Sequence, residues 1–427
     1  MFAAKIRPSR WNFFCAAVNG VLFHIYFAVF NPATVIPVFV GALTANPIWV
    51  AVAANVDAVC WPLPQLWAAS RILHRRRKLP FYRATAAARV MLIAAVAALP
   101  FILAPGAGLL AAFLVFYAAL NLTAGLAGPA FMDIVGKVIS APARGVLFTV
   151  RRFGGGVLAT AAALVLIGPV LRALPFPRSY GVLFAVAAAF TAGALLFMSL
   201  SREPPGDALA ERRSFGQTVR LAFALLPADR NYRRFVISRV FLCLSRLAAP
   251  FYIGLALSRL ELDAAAAGAF LAALMAGTVT SNLLWGYLSS RRGNRLLVRG
   301  GALISALPPL LYFLSGRAEL GGVYLFGALF FIMGFGWSGT EFGNINYVID
   351  IAPSELRPVY VGFNNTVNGV AMLAAISGGV ILKYTNYDWL FGLAALFALA
   401  SFYFTLGLAE PRAAGAEPAL ALTNRAG

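Results

Sequence analysis

A chain of 427 residues that is 61% hydrophobic and only 12% charged is far more apolar than a soluble globular domain, in which about a quarter of residues are charged. A soluble fold is excluded and a membrane protein is expected. The net charge of +20 would point to nucleic acid on a soluble surface. Here Lys and Arg gather around the loops between long apolar segments, as the positive-inside rule expects of an inner-type membrane protein, so the basic loops face anionic lipid and no nucleic-acid partner is expected.

Twelve segments long enough to cross a bilayer follow one another, near 12–40, 47–69, 83–103, 107–136, 145–170, 178–200, 234–258, 264–289, 297–316, 321–349, 358–382 and 388–409. None has the alternating pattern of an outer-membrane strand, so all are expected to be helices. The first is too long for a signal peptide and is expected to be retained. Pro32 and Pro37 should kink its outer half. Cys15, Cys60 and Cys243 lie in apolar segments without paired spacing, so they read as packing residues, and no metal or other cofactor is expected.

A polar run from Ser201 to Arg234 interrupts the chain at its middle. Residues 1–200 and 234–409 are then two six-helix bundles, 201–233 a cytoplasmic linker, and 410–427, rich in Ala, Pro, Gly and charge, a disordered tail. Within the linker Phe215, Val219, Ala222, Phe223 and Leu226 recur at helical spacing beside Arg212, Arg213 and Arg220, the pattern of a short helix lying on the membrane surface. With both termini cytoplasmic, only Arg172, Arg178, Arg259, Arg317 and Lys383, besides the intramembrane Arg246, fall away from cytoplasmic segments. A bacterial inner membrane is the expected location, with a single copy as the working unit.

The halves echo each other. Pro142-Ala143-Arg144-Gly145 followed by Gly156 resembles Pro353 to Pro358 followed by Gly369, with twelve residues from Arg144 or Arg357 to the glycine and an offset of 213 between copies. After the eighth segment the chain reads Gly286-Tyr287-Leu288-Ser289-Ser290-Arg291-Arg292-Gly293-Asn294-Arg295. This resembles the cytoplasmic signature loop of the major facilitator superfamily, Gly-x-Leu-small-Asp-Arg-x-Gly-Arg-Arg, with Ser290 where the family has its acid. The equivalent loop of the first half, Ser70 to Lys78, keeps the cations but not the glycines.

The resemblance implies an all-α membrane fold of twelve helices in two pseudo-symmetric bundles that rock about a central site. It places the first, fourth, seventh and tenth helices on the cavity. It implies that Gly286, Leu288, Ser290, Arg291, Gly293 and Arg295 serve a gate. The second, fifth, eighth and eleventh helices should pack bundle on bundle, and three of them carry small residues every fourth position: Gly155, Ala159 and Ala163; Ala269, Ala273 and Gly277; Ala371, Ala375 and Gly379.

Charges in hydrocarbon are costly, so those present are paired or functional. Arg246 in the seventh segment can clamp an anionic substrate or hold a buried carboxylate. Glu341 in the tenth can load and release a proton, or lock one conformation through a salt bridge. Asp57 in the second reads as a structural or gating partner. His24 in the first is a neutral histidine bonded within its bundle, or else a substrate contact or proton relay. Tyr26, Asn121 and Trp337 are packing or ligand contacts. Asp133 and Lys137, four residues apart, can pair on one helix face as gate elements.

The leading reading is a secondary transporter of a small organic solute, proton-coupled through Glu341. A uniporter or lipid-type flippase, and a non-transporting sensor or assembly factor on a transporter fold, are the alternatives. Gly154-Gly155-Gly156 lacks the Lys and Ser or Thr of a nucleotide loop. Gly336-Trp337-Ser338-Gly339 matches the motif of rhomboid-like intramembrane proteases, but twelve segments are the wrong layout for them, and no enzyme is expected. Arg246 hints at an anionic solute, while Tyr26, Phe335 and Trp337 suit a partly apolar one.

Overall fold

The computed structural model describes residues 10–72, 75–139, 141–205, 215–315, 322–353 and 356–410. Arg212, Arg213, Arg317 and the tail beyond Glu410 lie outside them, as do the side chains of Ser290 and Arg357. Eleven helical stretches among the described residues are long and apolar enough to cross a membrane. The second expected segment is the twelfth, and it is not one helix. α3 (Pro47–Cys60) stops, residues 61–64 form a turn, and α4 (Gln65–Ile72) begins again. Pro62 and Pro64 cause the break, because neither has an N–H for the helix ladder and each ring collides with the preceding turn.

The other spans of the first half are α1 (Arg10–Val29) with α2 (Val35–Gly41), α5 (Leu79–Ile102), α6 (Ala107–Val138), α7 (Ala141–Ala162) with α8 (Gly168–Ala173), and α9 (Arg178–Ser199). The expected kink in the first span is a full interruption at residues 30–34, where Asn31 accepts from Ala33 N and Thr34 Oγ1, both at 3.0 Å. A π-helical stretch, Ala163–Ile167, joins α7 to α8.

After α10 (Phe215–Ala228) the second half holds α11 (Arg230–Ser245) with α12 (Phe251–Arg259), α13 (Ala266–Arg292), α14 (Asn294–Ser315), α15 (Gly322–Ile351), α16 (Arg357–Ala375) with α17 (Ser377–Tyr384), and α18 (Tyr387–Leu406). α11 and α12 are separated by a 3₁₀ turn, Arg246–Ala248, just before Pro250. The linker helix exists as expected. Part of its apolar side is covered by protein: Ala222 and Leu225 are buried in a cluster with Tyr232, Phe235, Tyr347 and Tyr360, while Phe223 is exposed.

The chain divides into two compact units, Met1–Ala210 with Pro250–Ala276, and Glu211–Ala249 with Gly277–Gly427. Both are built to be wet by lipid. Large apolar side chains such as Ile102, Val165 and Leu196 are exposed, while Asn19, Arg89, Asn121, Arg239 and Asn364 are buried. This is the reverse of a soluble domain, because lipid-facing positions need no polarity and inward ones can satisfy it.

In the first unit α1 packs on α7 and α9, and α5 on α6 and α9. Its core is a stack of rings: Phe30 lies 4.9 Å from Phe184 and 5.4 Å from Tyr117, and Phe113 5.3 Å from Tyr117. In the second unit α14 packs on α15 and α18, and α11 on α16 and α18. Small residues set the closest approaches. A Cβ on Gly343 would stand 2.9 Å from Val298 N, and one on Gly277 only 2.0 Å from the carbonyl oxygen of Phe331. Gly277 of the eighth-span stripe therefore closes against α15, and Gly155 of the fifth span faces the His24 ring on α1.

Candidate functional site

Three of the sequence candidates come together in the second unit. Arg246 stands in the 3₁₀ turn that interrupts the seventh span, and Glu341 and Trp337 lie one turn apart on α15. Arg246 Nη2 is 3.3 Å from Glu341 Oε1 and 3.5 Å from Thr340 Oγ1, and its guanidinium carbon lies 5.5 Å from the Trp337 ring centroid. The Glu341 side chain is 48% exposed and that of Arg246 23%. An ion pair this open to water adds little stability, so it can break and reform without unfolding anything. Ser338, in the protease-like tetrapeptide, donates its hydroxyl to Asn282 Oδ1. His24 belongs to the first unit.

Within the first unit Tyr26 and Asn121 are brought together in the interior. Tyr26 is 5% and Asn121 1% exposed, the Tyr26 hydroxyl donates to Asn121 Oδ1 at 3.3 Å, and Tyr26 stacks 4.7 Å from Phe30. They are held in the ring stack. His24 has Nδ1 2.8 Å from Gly20 O and one side on the wall of a cavity of about 200 Å³. Aromatic rings of Phe23, Phe27, Trp61, Tyr82 and Phe131 line this cavity, and so do Arg89 and Arg151. Asp57, half-buried on α3, is an acid whose charge reaches Arg89, and among the described residues no ion pair of 4 Å or less joins the two. Its neighbour Asn55 turns back on Ala51 O at 2.8 Å.

The gate candidates resolve into two acid-centred clusters, one per unit. Asp133 and Lys137 do pair, at 2.7 Å. They are part of a larger network, in which Lys78 Nζ reaches Asp133 at 2.7 Å and Lys137 reaches Glu203 at 3.0 Å. Glu203, its side chain 1% exposed, also accepts from the backbone N–H of Lys78 and Leu79 at 2.7–3.0 Å. A carboxylate at the first N–H groups of α5 satisfies donors that have no partner within the helix and complements its dipole.

The second cluster stands at the signature loop. Gly293 has φ +81°, a conformation glycine adopts without strain, and it lets α13 end and α14 begin within one residue. A Cβ there would also strike the Glu410 carboxylate. Arg295 Nε lies 3.7 Å from Glu410 Oε2. Asn294 Nδ2 donates to Asp350 Oδ2 at 2.6 Å while its own Oδ1 accepts from Ser289. Acids from the tenth and twelfth spans thus stand around a loop that lacks its own. Arg291 lies over Tyr287 at 5.7 Å, Leu288 is half-buried, and Gly286 is exposed with no atom within 4 Å of a Cβ added to it.

Sequence reasoning missed Glu203 and three arginines. Arg89, Arg151 and Arg239 each lie nine or ten residues beyond the first residue of their helix, about 15 Å along it at about 1.5 Å per residue. They stand five or six residues inside the apolar segments 83–103, 145–170 and 234–258, about 8 Å into a hydrocarbon layer about 30 Å thick. All three were counted with the basic flanks of their segments, and measuring depth from the helix start would have found them. Arg89 Nε and Arg239 Nε are buried without a hydrogen-bond partner. Arg151 donates to Ala16 O at 2.6 Å and Asn19 Oδ1 at 2.9 Å.

Known proteins share this fold. In fold the chain resembles a D-xylose–proton symporter, with a TM-score of 0.71 at 14% identity over 95% of this chain and 99% of that one. It also resembles a nucleoside transporter, with a TM-score of 0.67 at 13% identity over 92% and 99%. An uncharacterised protein of Mycobacterium tuberculosis is 25% identical over 312 residues, which is 71% of this chain and 58% of that protein. The chain therefore spans little more than half the length of the curated relatives it matches. The family model of the Major Facilitator Superfamily matches residues 83–375 and 235–424. The chain is a multi-pass integral membrane protein and belongs to the Major Facilitator Superfamily.

Proposed function

We propose that the chain is a secondary transporter that moves a small organic solute by alternating access, and that a proton on Glu341 drives it. The bundles of residues 1–200 and 234–409 are the rocking bodies, with both termini on the cytoplasmic side of a bacterial inner membrane. The observation that carries the reading is the Arg246–Glu341 pair. It sits at a helix break in the span that the family places on the cavity, with the acid half-exposed and a tryptophan ring beside the cation. Protonating Glu341 removes its charge and frees Arg246 for an anionic group. Deprotonating it restores the pair and expels that group, so the Glu341 carboxylate and the solute anion compete for one guanidinium, and proton and solute are bound and released together. The symporter among the similar folds supports the class of mechanism and says nothing of a sugar here.

The test is proton movement in reconstituted vesicles on adding a panel of metabolites and amphiphiles, wild type beside Glu341→Gln. A substrate-dependent proton signal is expected in the wild type and none in the variant. Solute flux without a proton signal in the wild type would make the protein a uniporter or flippase. No flux from folded protein across the panel would leave the sensor or assembly reading.

A further inference from the structure

The first unit carries a cavity whose chemistry the Arg246–Glu341 pair does not use. Of about 200 Å³, it falls below the ~300 Å³ at which pockets for drug-sized ligands begin, so its occupant is small. Two guanidiniums face it from different helices, Arg89 on α5 and Arg151 on α7. Each already lies against an aromatic ring, Arg89 4.9 Å from the Phe23 centroid and Arg151 4.8 Å from that of Phe131. Stacking of that kind holds the plane of the fork and leaves its edge for hydrogen bonding.

Neither is neutralised by a close acid. Among the described residues no carboxylate lies within 4 Å of either, whereas Arg246 has Glu341 and Lys137 has two acids. Arg89 is 8% exposed and its Nε is buried without a partner. Burying a cation so deep costs several kcal/mol unless something pairs with it. The aromatic walls supply part of that compensation and Asp57 acts at longer range. Arg151 Nη1 donates to Ala16 O and Asn19 Oδ1, whereas Arg89 Nε has no acceptor; a carboxylate whose apolar body lies against Phe27 and Trp61 would complement both cations.

We propose that this cavity binds a small monoanionic solute, a carboxylate on an aromatic or compact apolar body, with Arg89 and Arg151 on its oxygens. The inference goes beyond the transport reading, since it concerns a site that the Arg246–Glu341 pair does not form, and it is tested by binding, so the two can fail separately. A lipid phosphate with its acyl chains offers similar chemistry. The small volume favours the free solute.

Full-length protein in nanodiscs of phosphatidylcholine is titrated calorimetrically at pH 7 with benzoate, 4-hydroxybenzoate and phenylacetate, and with the three matching amides. The acids are expected to bind at least ten-fold tighter than their amides, and Arg89→Gln and Arg151→Gln to remove at least ten-fold of that affinity each. Should either variant misfold, Gly128→Leu serves instead. Gly128 lines the cavity, and the new Cβ would meet only ordinary contacts with Gln65 and Trp61 at 3.8–3.9 Å; the variant is expected to abolish acid binding with Tm unchanged. Equal affinity for acids and amides, no binding by any of the six, or unaltered binding in the folded variants would overturn the proposal. Loss of acid binding when phosphatidylglycerol replaces half of the lipid would assign the cavity to a headgroup and overturn it as well. Binding without flux in vesicles would remove the transport reading and leave this site standing.

Discussion

Glu203 shows how much a single side chain can hold at a helix entrance. Its carboxylate accepts two backbone N–H groups of α5 and the ammonium of Lys137, while Lys137 and Lys78 share Asp133. Glu203→Gln keeps the shape and removes the charge, leaving one fewer acceptor oxygen for three donors. Since hydrogen bonds to charged groups contribute about 1.5–3 kcal/mol each, a loss of about 2 kcal/mol is expected, read as a lower Tm of the purified protein. An unchanged Tm would mean that water replaces the carboxylate at no cost. Legibility followed isolation at this scale. Glu341 and Arg246 were readable because each stands alone in a long apolar run, and Asp133 with Lys137 because four residues is one helical turn. Glu203 was hidden, since it lies in the polar linker and its partners are 66 and 125 residues away. The buried arginines were hidden for the opposite reason, sitting close enough in sequence to basic loops to be mistaken for their flanks.

The helices themselves were readable from apolar length, but their interruptions were not all so. Pro32 announced the break in the first span. Pro62 and Pro64 were equally visible in the second, and the apolar residues around them masked the break. The turn they make is docked, because a Cβ on Gly125 of α6 would lie 2.1 Å from Trp61 O. Replacing both prolines with alanine removes the block and shifts local preference toward continuous helix by about 3 kcal/mol per residue. Spin labels at Val52 and Arg71 should then move apart, toward the ~28 Å of nineteen residues in one straight helix. An unchanged distance would show that packing on α6 alone holds the turn. Close packing makes a second prediction. With the Phe331 carbonyl 2.0 Å from where its Cβ would be, Gly277→Leu must push α13 from α15, and such overpacking costs about 1–3 kcal/mol. A Tm equal to wild type would mean the pair separates freely. The small-residue spacing at Gly277 was visible in sequence, whereas its partner was not, since period alone does not say which helix fills a groove.

For the whole molecule the governing quantity is the distribution of charge along the chain. A net charge of +20 concentrated around alternate loops fixes which way the bundle inserts, because Lys and Arg resist translocation. Both clusters described above stand at helix ends next to such loops: Lys78 begins the third span beside Arg75, Arg76 and Arg77, and Arg295 begins the ninth beside Arg291 and Arg292. The proposed orientation therefore puts both clusters on the cytoplasmic side, beside the basic loops. Labelling by a membrane-impermeant maleimide tests this. In protein whose Cys15, Cys60 and Cys243 are replaced by serine or alanine, single cysteines are placed at Arg172, Lys383, Arg75 and Arg291. Intact cells should label Arg172→Cys and Lys383→Cys, and label Arg75→Cys and Arg291→Cys only after permeabilisation. The reverse pattern would invert the proposed topology, and with it the side from which Glu341 takes its proton. Equal labelling of Arg75→Cys and Arg172→Cys in intact cells would break the odd count of three spans between those loops, and so the two-bundle arrangement on which alternating access depends.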